Sequence, residues 1–186
     1  RTSLFIRFIL KLLTDYTTIP LALYSSIVNY SGHDGFLLYC ELEAYKKVNP
    51  NDPYYKWTTN SSFRFTQKES LWNKKMRKLI KMGLVEKKGN SYISNRKLKK
   101  WKEFKQEDSF INNLHGSLRI DLYELYSLRN KDYQQLRDYI YIGLINSVVK
   151  RRNYSRKWIQ QVTGFSTYIQ KEIENRHPDK IIINKK

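Results

Sequence analysis

The sequence predicts a mostly α-helical protein with one small β-hairpin, organised in two units. Apolar residues recur at helical spacing in several segments, which are 3–14, 20–30, 36–47, 67–82, 132–150, 155–163 and 167–176. Short runs rich in β-branched and aromatic residues predict strands at 62–65, 84–88 and 91–94. The basic residues form two separate blocks, which indicates two charged surfaces on two structural units.

Composition points to an anionic partner. The chain has 186 residues, 40% of them hydrophobic and 15% aromatic, which is enough for a folded core. Lys and Arg total 35 against 17 Asp and Glu, so the formal net charge is +18. An AT-rich genome would raise Lys, but it would raise Glu as well, and acidic residues are scarce here. We therefore expect a surface that attracts nucleic acid.

The charge is concentrated in two parts of the chain. Residues 66–105 carry 14 basic and 3 acidic side chains, and residues 150–186 carry 10 and 3. The intervening residues 106–149 have a net charge of −2. The polar stretch 105–116 between the blocks has the composition of a connection. We expect one domain over residues 1–105 and a second, helical domain over residues 106–186.

Several classes of protein do not fit the residue content. Cys40 is the only cysteine and the three histidines are scattered, so we expect no disulfide and no metal. We also expect no cofactor. The absence of a disulfide predicts a cytoplasmic protein, nucleoid-associated if bacterial. The apolar run 4–13 contains Arg7 and Lys11 and is too short for a bilayer, which predicts a buried helix and no membrane partner. This run could instead form a homodimer, and the alternative stays open. Because residue 1 is Arg, the chain can be a piece of a longer protein.

The sequence does not predict an enzyme. His33 with Asp34, Cys40 with two nearby glutamates, and His115 do not combine a nucleophile, a base and an orienting group at a recognisable spacing. No Gly-x-Gly or Gly-Lys-Ser/Thr sequence occurs, so a phosphate-binding loop is not expected. There are 15 tyrosines, but no His-x-His pair or Arg/His/Tyr box accompanies them as in strand-transfer enzymes.

A basic helix followed by a hairpin is the first motif. Thr66 and Glu69 have the spacing of a capping box, so a helix should begin there. At 100° per residue its apolar face comprises Trp72, Met76, Leu79 and Ile80, and its opposite face comprises Ser70, Lys74, Arg77, Lys78 and Lys81. Gly83 is suited to the helix end, and residues 84–94 predict a hairpin that turns at Gly89-Asn90.

This arrangement resembles the winged helix-turn-helix DNA-binding proteins. The resemblance is carried by residues 74–94 and extends over about residues 16–95, where segments 19–24 and 36–39 look like the opening helices of plasmid and phage replication initiators and mobile-element regulators. The usual short helix before the recognition helix is not apparent, which moves the first helix of the motif to 36–47. The resemblance implies a winged-helix fold and binding of double-stranded DNA.

A second motif in residues 154–176 looks like a helix-turn-helix. Ser155 and Ser166 are good helix N-caps, and Gly164 lies where the turn needs positive φ. The residues that pack between the two helices are Trp158, Ile159, Val162, Phe165, Ile169 and Ile173. Thr167, Gln170, Lys171 and Glu174 should then face outward. This motif either contacts DNA or serves as a packing or dimerisation unit.

Together the two motifs predict an origin- or operator-binding protein of a mobile element or phage, acting as replication initiator or transcription regulator. Lys, Arg and Asn on a helix can reach phosphates and base edges in the major groove. The expected DNA-contacting side chains are Lys68, Asn73, Lys74, Arg77, Lys78, Lys81, Lys87, Lys88, Arg151, Arg152, Arg156, Lys157, Thr167, Gln170 and Lys171. The alternative is an RNA-binding or architectural nucleoprotein component without base-specific readout.

Overall fold

The computed structural model describes residues 16–56, 69–96, 103, 108–128, 133–147 and 154–181. Within them the helices are α1 Leu21–Val48, α2 Glu69–Lys81, α3 Ser109–Asn112, α4 Leu122–Ser127, α5 Tyr133–Ser147, α6 Arg156–Thr163 and α7 Thr167–Arg176. The strands are β1 Tyr16–Pro20, β2 Tyr55–Lys56, β3 Val85–Lys88, β4 Ser91–Ser94 and β5 Ser117–Asp121. The mostly helical class with a small antiparallel β component is confirmed. The predicted segments 3–14 and 62–65 lie outside the described residues.

Helix α1 is broken at Gly32, whose φ of 77° and ψ of 177° are essentially restricted to glycine. The two predicted helices, 20–30 and 36–47, are the segments on either side of this break. A helix end presents carbonyl groups that its own backbone does not satisfy. Lys78 donates to the Tyr30 carbonyl at 2.9 Å, and Lys75 donates to the Ser31 carbonyl. Two lysines of α2 therefore bind the broken end of α1.

The same break is held from another side by the α6–α7 pair. The Asn29 side-chain amide donates to the Gln161 carbonyl in α6 at 3.1 Å. The His33 ring stacks on Phe165, with centroids 4.8 Å apart and planes 12° apart. Phe165 belongs to the turn between α6 and α7 and is buried. The break at Gly32 thus contacts both of the motifs found in the sequence.

Two small antiparallel sheets connect distant parts of the chain. Strand β1 pairs with β5, with Ile19 opposite Leu118, and both of these side chains are buried. The other sheet has the order β2-β4-β3. One hydrophobic core extends over α1, β1, α2, β5, α5, α6 and α7. Described residues on the two sides of the boundary expected near residue 105 therefore share a sheet and a core.

A buried carboxylate attaches the hairpin to α1. Glu43 accepts a hydrogen bond from the Ser94 hydroxyl and forms an ion pair with Arg96 at 2.8 Å. Arg96 also donates to the Thr18 carbonyl in β1 at 2.6 Å. Burial alone would raise the pKa of Glu43, but Lys46, Ser94 and Arg96 outweigh it and hold the pKa below its usual value. Glu43 therefore stays charged and links α1, the end of β4 and β1.

Replacing Gly32 by Ala should destabilise the protein, because a Cβ is not compatible with this backbone conformation. We expect Gly32→Ala to lower the free energy of unfolding by about 1 to 3 kcal/mol. Gly143→Ala is the matched control, since Gly143 lies in α5 with open space around an added Cβ. There Ala should be neutral or stabilising by up to about 1 kcal/mol. Urea denaturation followed by circular dichroism measures the unfolding free energies of both variants. Equal values for Gly32→Ala and the parent would contradict the requirement for glycine at this break.

The stability of the protein should fall in mild acid because of His33. Burial lowers the pKa of His33 to about 4, and Arg137 and Lys75 add to the effect. In the unfolded chain the pKa is about 6.5, so the unfolded state binds the extra proton between these values. The stability that depends on a neutral His33 is fully present above about pH 6.5 and is lost as the pH falls towards 4. The total loss is about 3 kcal/mol.

His33→Gln removes this titration and serves as the comparison. The unfolding free energy of the variant should change less between about pH 7 and about pH 4.5 than that of the parent. The same change in both proteins, measured by denaturation across this range, would mean that His33 does not couple protonation to folding.

Candidate nucleic-acid interface

The outer face of α2 is polar and cationic, and it is exposed because the apolar inner face packs on α1. Trp72, Met76 and Leu79 are at most 1% exposed, and Ile80 is half-buried. On the opposite side the exposed residues are Ser70, Asn73, Lys74, Arg77 and Lys81. The predicted apolar face is confirmed, and Ser70, Lys74, Arg77 and Lys81 of the predicted outer face are exposed. Asn73, a predicted DNA-contacting residue, is exposed as well.

A shallow groove joins α2 to the hairpin. It has a volume of about 370 Å³ and is lined by Asn73, Met76, Arg77, Ile80, Lys87 and Tyr92. Three of the predicted site residues, Asn73, Arg77 and Lys87, therefore lie around one depression. Amide and guanidinium groups can pair with base edges, and an ammonium group can pair with phosphate. The groove combines both kinds of group on one surface.

The lysines of the hairpin lie above tyrosine rings. The Lys87 ammonium is 5.7 Å from the Tyr92 ring centroid, and the Lys88 ammonium is 5.6 Å from that of Tyr54. These distances are within the range of cation–π attraction. The Tyr92 ring in turn packs edge-on against Trp72, with centroids 5.1 Å apart. Lys87 is thus connected, through Tyr92, to the core side of α2.

Lys78 departs from its predicted position on the exposed face. It is half-buried, donates to the Tyr30 carbonyl, and lies 5.5 Å from the centroid of the Tyr30 ring. Lys75, which donates to the neighbouring Ser31 carbonyl, has a pKa lowered by burial, and Lys78 and Lys74 add to this. Both ammonium groups cap the first segment of α1. The helical periodicity could not reveal this, because it does not indicate where α1 breaks.

The second motif has the predicted caps and turn. The Ser155 hydroxyl accepts from the Trp158 amide at 3.2 Å, and the Ser166 hydroxyl accepts from the Ile169 amide at 3.3 Å. Gly164 has φ of 75° and ends α6. The sequence Ser155 to Arg176 therefore forms two helices joined by a short turn.

Two of the residues predicted to contact DNA from this motif are engaged within it. Gln170 is 0% exposed, and its amide donates to the carbonyls of Arg156 and Phe165, both at 3.0 Å. The prediction that Gln170 faces outward is wrong, because its amide satisfies carbonyl groups at the turn and at the start of α6. Arg156 donates to both carboxylate oxygens of Glu174, at 3.1 and 2.7 Å. Glu174 is consequently half-buried as well, and not directed to solvent as predicted.

The exposed face of α7 contains further polar residues. Thr167 and Lys171 are exposed as predicted, and Lys157 of α6 is also exposed. Sequence reasoning missed Tyr168, which is 70% exposed, and Asn175, also exposed. Helical spacing could have revealed that they share the exposed face, since Tyr168 lies three residues before Lys171 and Asn175 lies four residues after it. Lys68, Arg151 and Arg152 lie outside the described residues.

A larger cavity of about 1010 Å³ lies between β5, α4, α5 and the end of α7. On its wall the Asp138 carboxylate accepts from Arg176 at 2.8 and 3.0 Å and contacts the His177 ring at 2.8 Å. Asp138 is therefore already engaged by two basic side chains. Across the described residues, no group of three or more His, Cys, Asp or Glu side chains is arranged to hold a metal ion. No helix in the described part of the chain is long and apolar enough to cross a membrane.

Comparisons of the chain with protein-family models, with curated proteins and with solved structures gave no match.

Lys78 and Lys74 should respond differently to the same substitution. Lys78→Met removes a half-buried, charge-assisted donor from the Tyr30 carbonyl and should cost about 1 to 2 kcal/mol of stability. Lys74 is exposed, so Lys74→Met should change stability by less than about 0.5 kcal/mol. Chemical denaturation measures both, and equal losses in the two variants would rule out a capping role for Lys78.

Proposed function

We propose that this protein binds double-stranded DNA as a winged-helix protein, with α2 in the major groove and the β3–β4 hairpin against the neighbouring backbone. The observation that carries the proposal is the convergence of Asn73, Arg77 and Lys87 around one groove on an exposed cationic face. A helix fits the major groove of B-DNA, where Arg pairs with guanine and Asn with adenine.

The order of the elements supports the winged-helix assignment. The second segment of α1 is followed by β2, then by α2, and then by the β3–β4 hairpin. The sheet order β2-β4-β3 lets the short strand before α2 pair with the far strand of the hairpin. This agrees with the resemblance of residues 74–94 to winged helix-turn-helix proteins, with the second segment of α1 as the first helix of the motif.

The charge of this unit supports a duplex partner. Residues 69–96 contain 8 basic and 2 acidic side chains, and the exposed cations lie on α2 and the hairpin. Such a surface gains affinity by releasing counterions from phosphates, so binding should weaken strongly with salt. The resemblance favours a replication initiator or a transcription regulator of a mobile element or phage, and these two roles stay open.

Arg77→Ala should weaken binding to duplex DNA by about 1 to 3 kcal/mol, because the side chain would lose a contact to a base edge. Fluorescence anisotropy with duplexes at moderate salt measures the change. Arg119→Ala is the matched control, since Arg119 is an exposed arginine on β5 and belongs to neither α2 nor the hairpin. It should bind like the parent.

Competition with single strands and structured RNA completes the test. Duplex DNA should be the best competitor for the parent protein. Equal affinities of Arg77→Ala and the parent would remove α2 from the interface, and stronger competition by structured RNA would favour an RNA-binding protein instead.

A further inference from the structure

We propose that α2 and α7 read one composite DNA site, in which two sequence elements lie at a fixed spacing. This rests on the proposed function of α2 and adds a second reading surface and the form of the target.

The exposed face of α7 carries polar and aromatic side chains. Thr167, Tyr168, Lys171 and Asn175 are all exposed there. Asn pairs with adenine, the methyl and ring groups of Thr and Tyr pack on the thymine methyl, and Lys reaches guanine. These groups are suited to base edges. The buried Gln170 and the paired Arg156 belong to the frame behind this face.

The two helices differ in charge. Helix α7 itself carries 2 basic and 2 acidic side chains, compared with 5 and 1 in α2. Phosphate attraction supplies most of the sequence-independent affinity for DNA. The α7 face therefore adds little affinity by charge, and its contacts depend on DNA that α2 and the hairpin already hold.

The two readers are connected through residues 29–33 of α1. Helix α2 is bound there directly, because Lys75 and Lys78 donate to the Ser31 and Tyr30 carbonyls, and α7 is connected through α6 and the turn that precedes it. On the other side, Asn29 donates to Gln161 of α6 and His33 stacks on Phe165. These contacts are direct packing and do not depend on a linker. Readers joined by a flexible linker tolerate variable spacing, whereas readers packed on one helix break require a constant one.

The experiment starts from a random-pool selection of duplex DNA by the full chain. The proposal expects two enriched elements separated by a constant number of base pairs. Inserting about 5 base pairs between them turns the second element by about half a helical turn. One reader is then lost, and affinity should fall by roughly 100-fold or more. Since no linker can adjust, inserting about 10 base pairs should weaken binding as well.

A double variant identifies α7 as the second reader. Tyr168→Ala with Asn175→Ala should bind the selected site about as weakly as the parent binds the interrupted site, and the insertion should no longer matter. The control is Tyr123→Ala with Asn113→Ala, which replaces the same residue types at exposed positions outside α7. It should keep the parent's affinity and its sensitivity to spacing.

The outcomes separate this inference from the proposed function. The composite site would be overturned by enrichment of a single element, by equal affinity at all spacings, or by parent-like affinity of the α7 double variant. Each of these outcomes would leave α2 as a reader. Failure of the full chain to bind any duplex would overturn the proposed function and this inference with it.

Discussion

The carbonyl oxygens of Tyr30 and Ser31, at the broken end of α1, accept hydrogen bonds from two lysines of α2. A buried carbonyl that loses its donor costs about 1 to 3 kcal/mol, so this contact constrains how α2 can lie on α1. With positions 75 and 78 directed to the break, the neighbouring positions 74, 77 and 81 face away from the core. The contacts at the break thus act together with the burial of Trp72, Met76 and Leu79, which turns the cationic face of α2 outward.

Three acidic side chains with little solvent exposure pair with arginines. Glu43 pairs with Arg96, Asp138 with Arg176, and Glu174 with Arg156. In the last two pairs the planar guanidinium contacts both carboxylate oxygens, a geometry to which arginine is suited. These three carboxylates link separate elements of the fold. The exposed lysines of α2 and the hairpin, which are Lys74, Lys81, Lys87 and Lys88, present their charge to solvent and attract anionic partners.

Local patterns in the sequence predicted the parts of the fold that local physics determines. Apolar spacing gave α2, α5, α6 and α7, and the N-caps Ser155 and Ser166 were predicted with their correct helices. The pairing of β1 with β5 was missed, because about 100 residues separate two short strands and nothing local specifies their register. The charge blocks indicated a domain boundary near residue 105, and strands β1 and β5, which lie on its two sides, pair in one sheet.

The errors at the candidate site have a common cause. A polar side chain on a helix was assigned to the surface by its residue type. Gln170 is buried because two carbonyl groups require a donor there, and Lys78 is half-buried because α1 breaks beside it. Tyr168 was missed for the opposite reason, since aromatic residues are usually assigned to the core, and this one is 70% exposed. Tertiary contacts determine the solvent exposure of these side chains, and local sequence patterns do not reveal such contacts.

Lysine reactivity in the presence and absence of duplex DNA tests the central claim most directly. The exposed ammonium groups of Lys74, Lys81, Lys87 and Lys88 should be modified rapidly in the free protein and protected by DNA. Lys75 and Lys78 should react slowly in both states, because they are bound to carbonyl groups of α1. Lys180, which is exposed beside the large cavity, should stay reactive. Protection of Lys180 with unchanged reactivity at Lys74 and Lys87 would contradict the account.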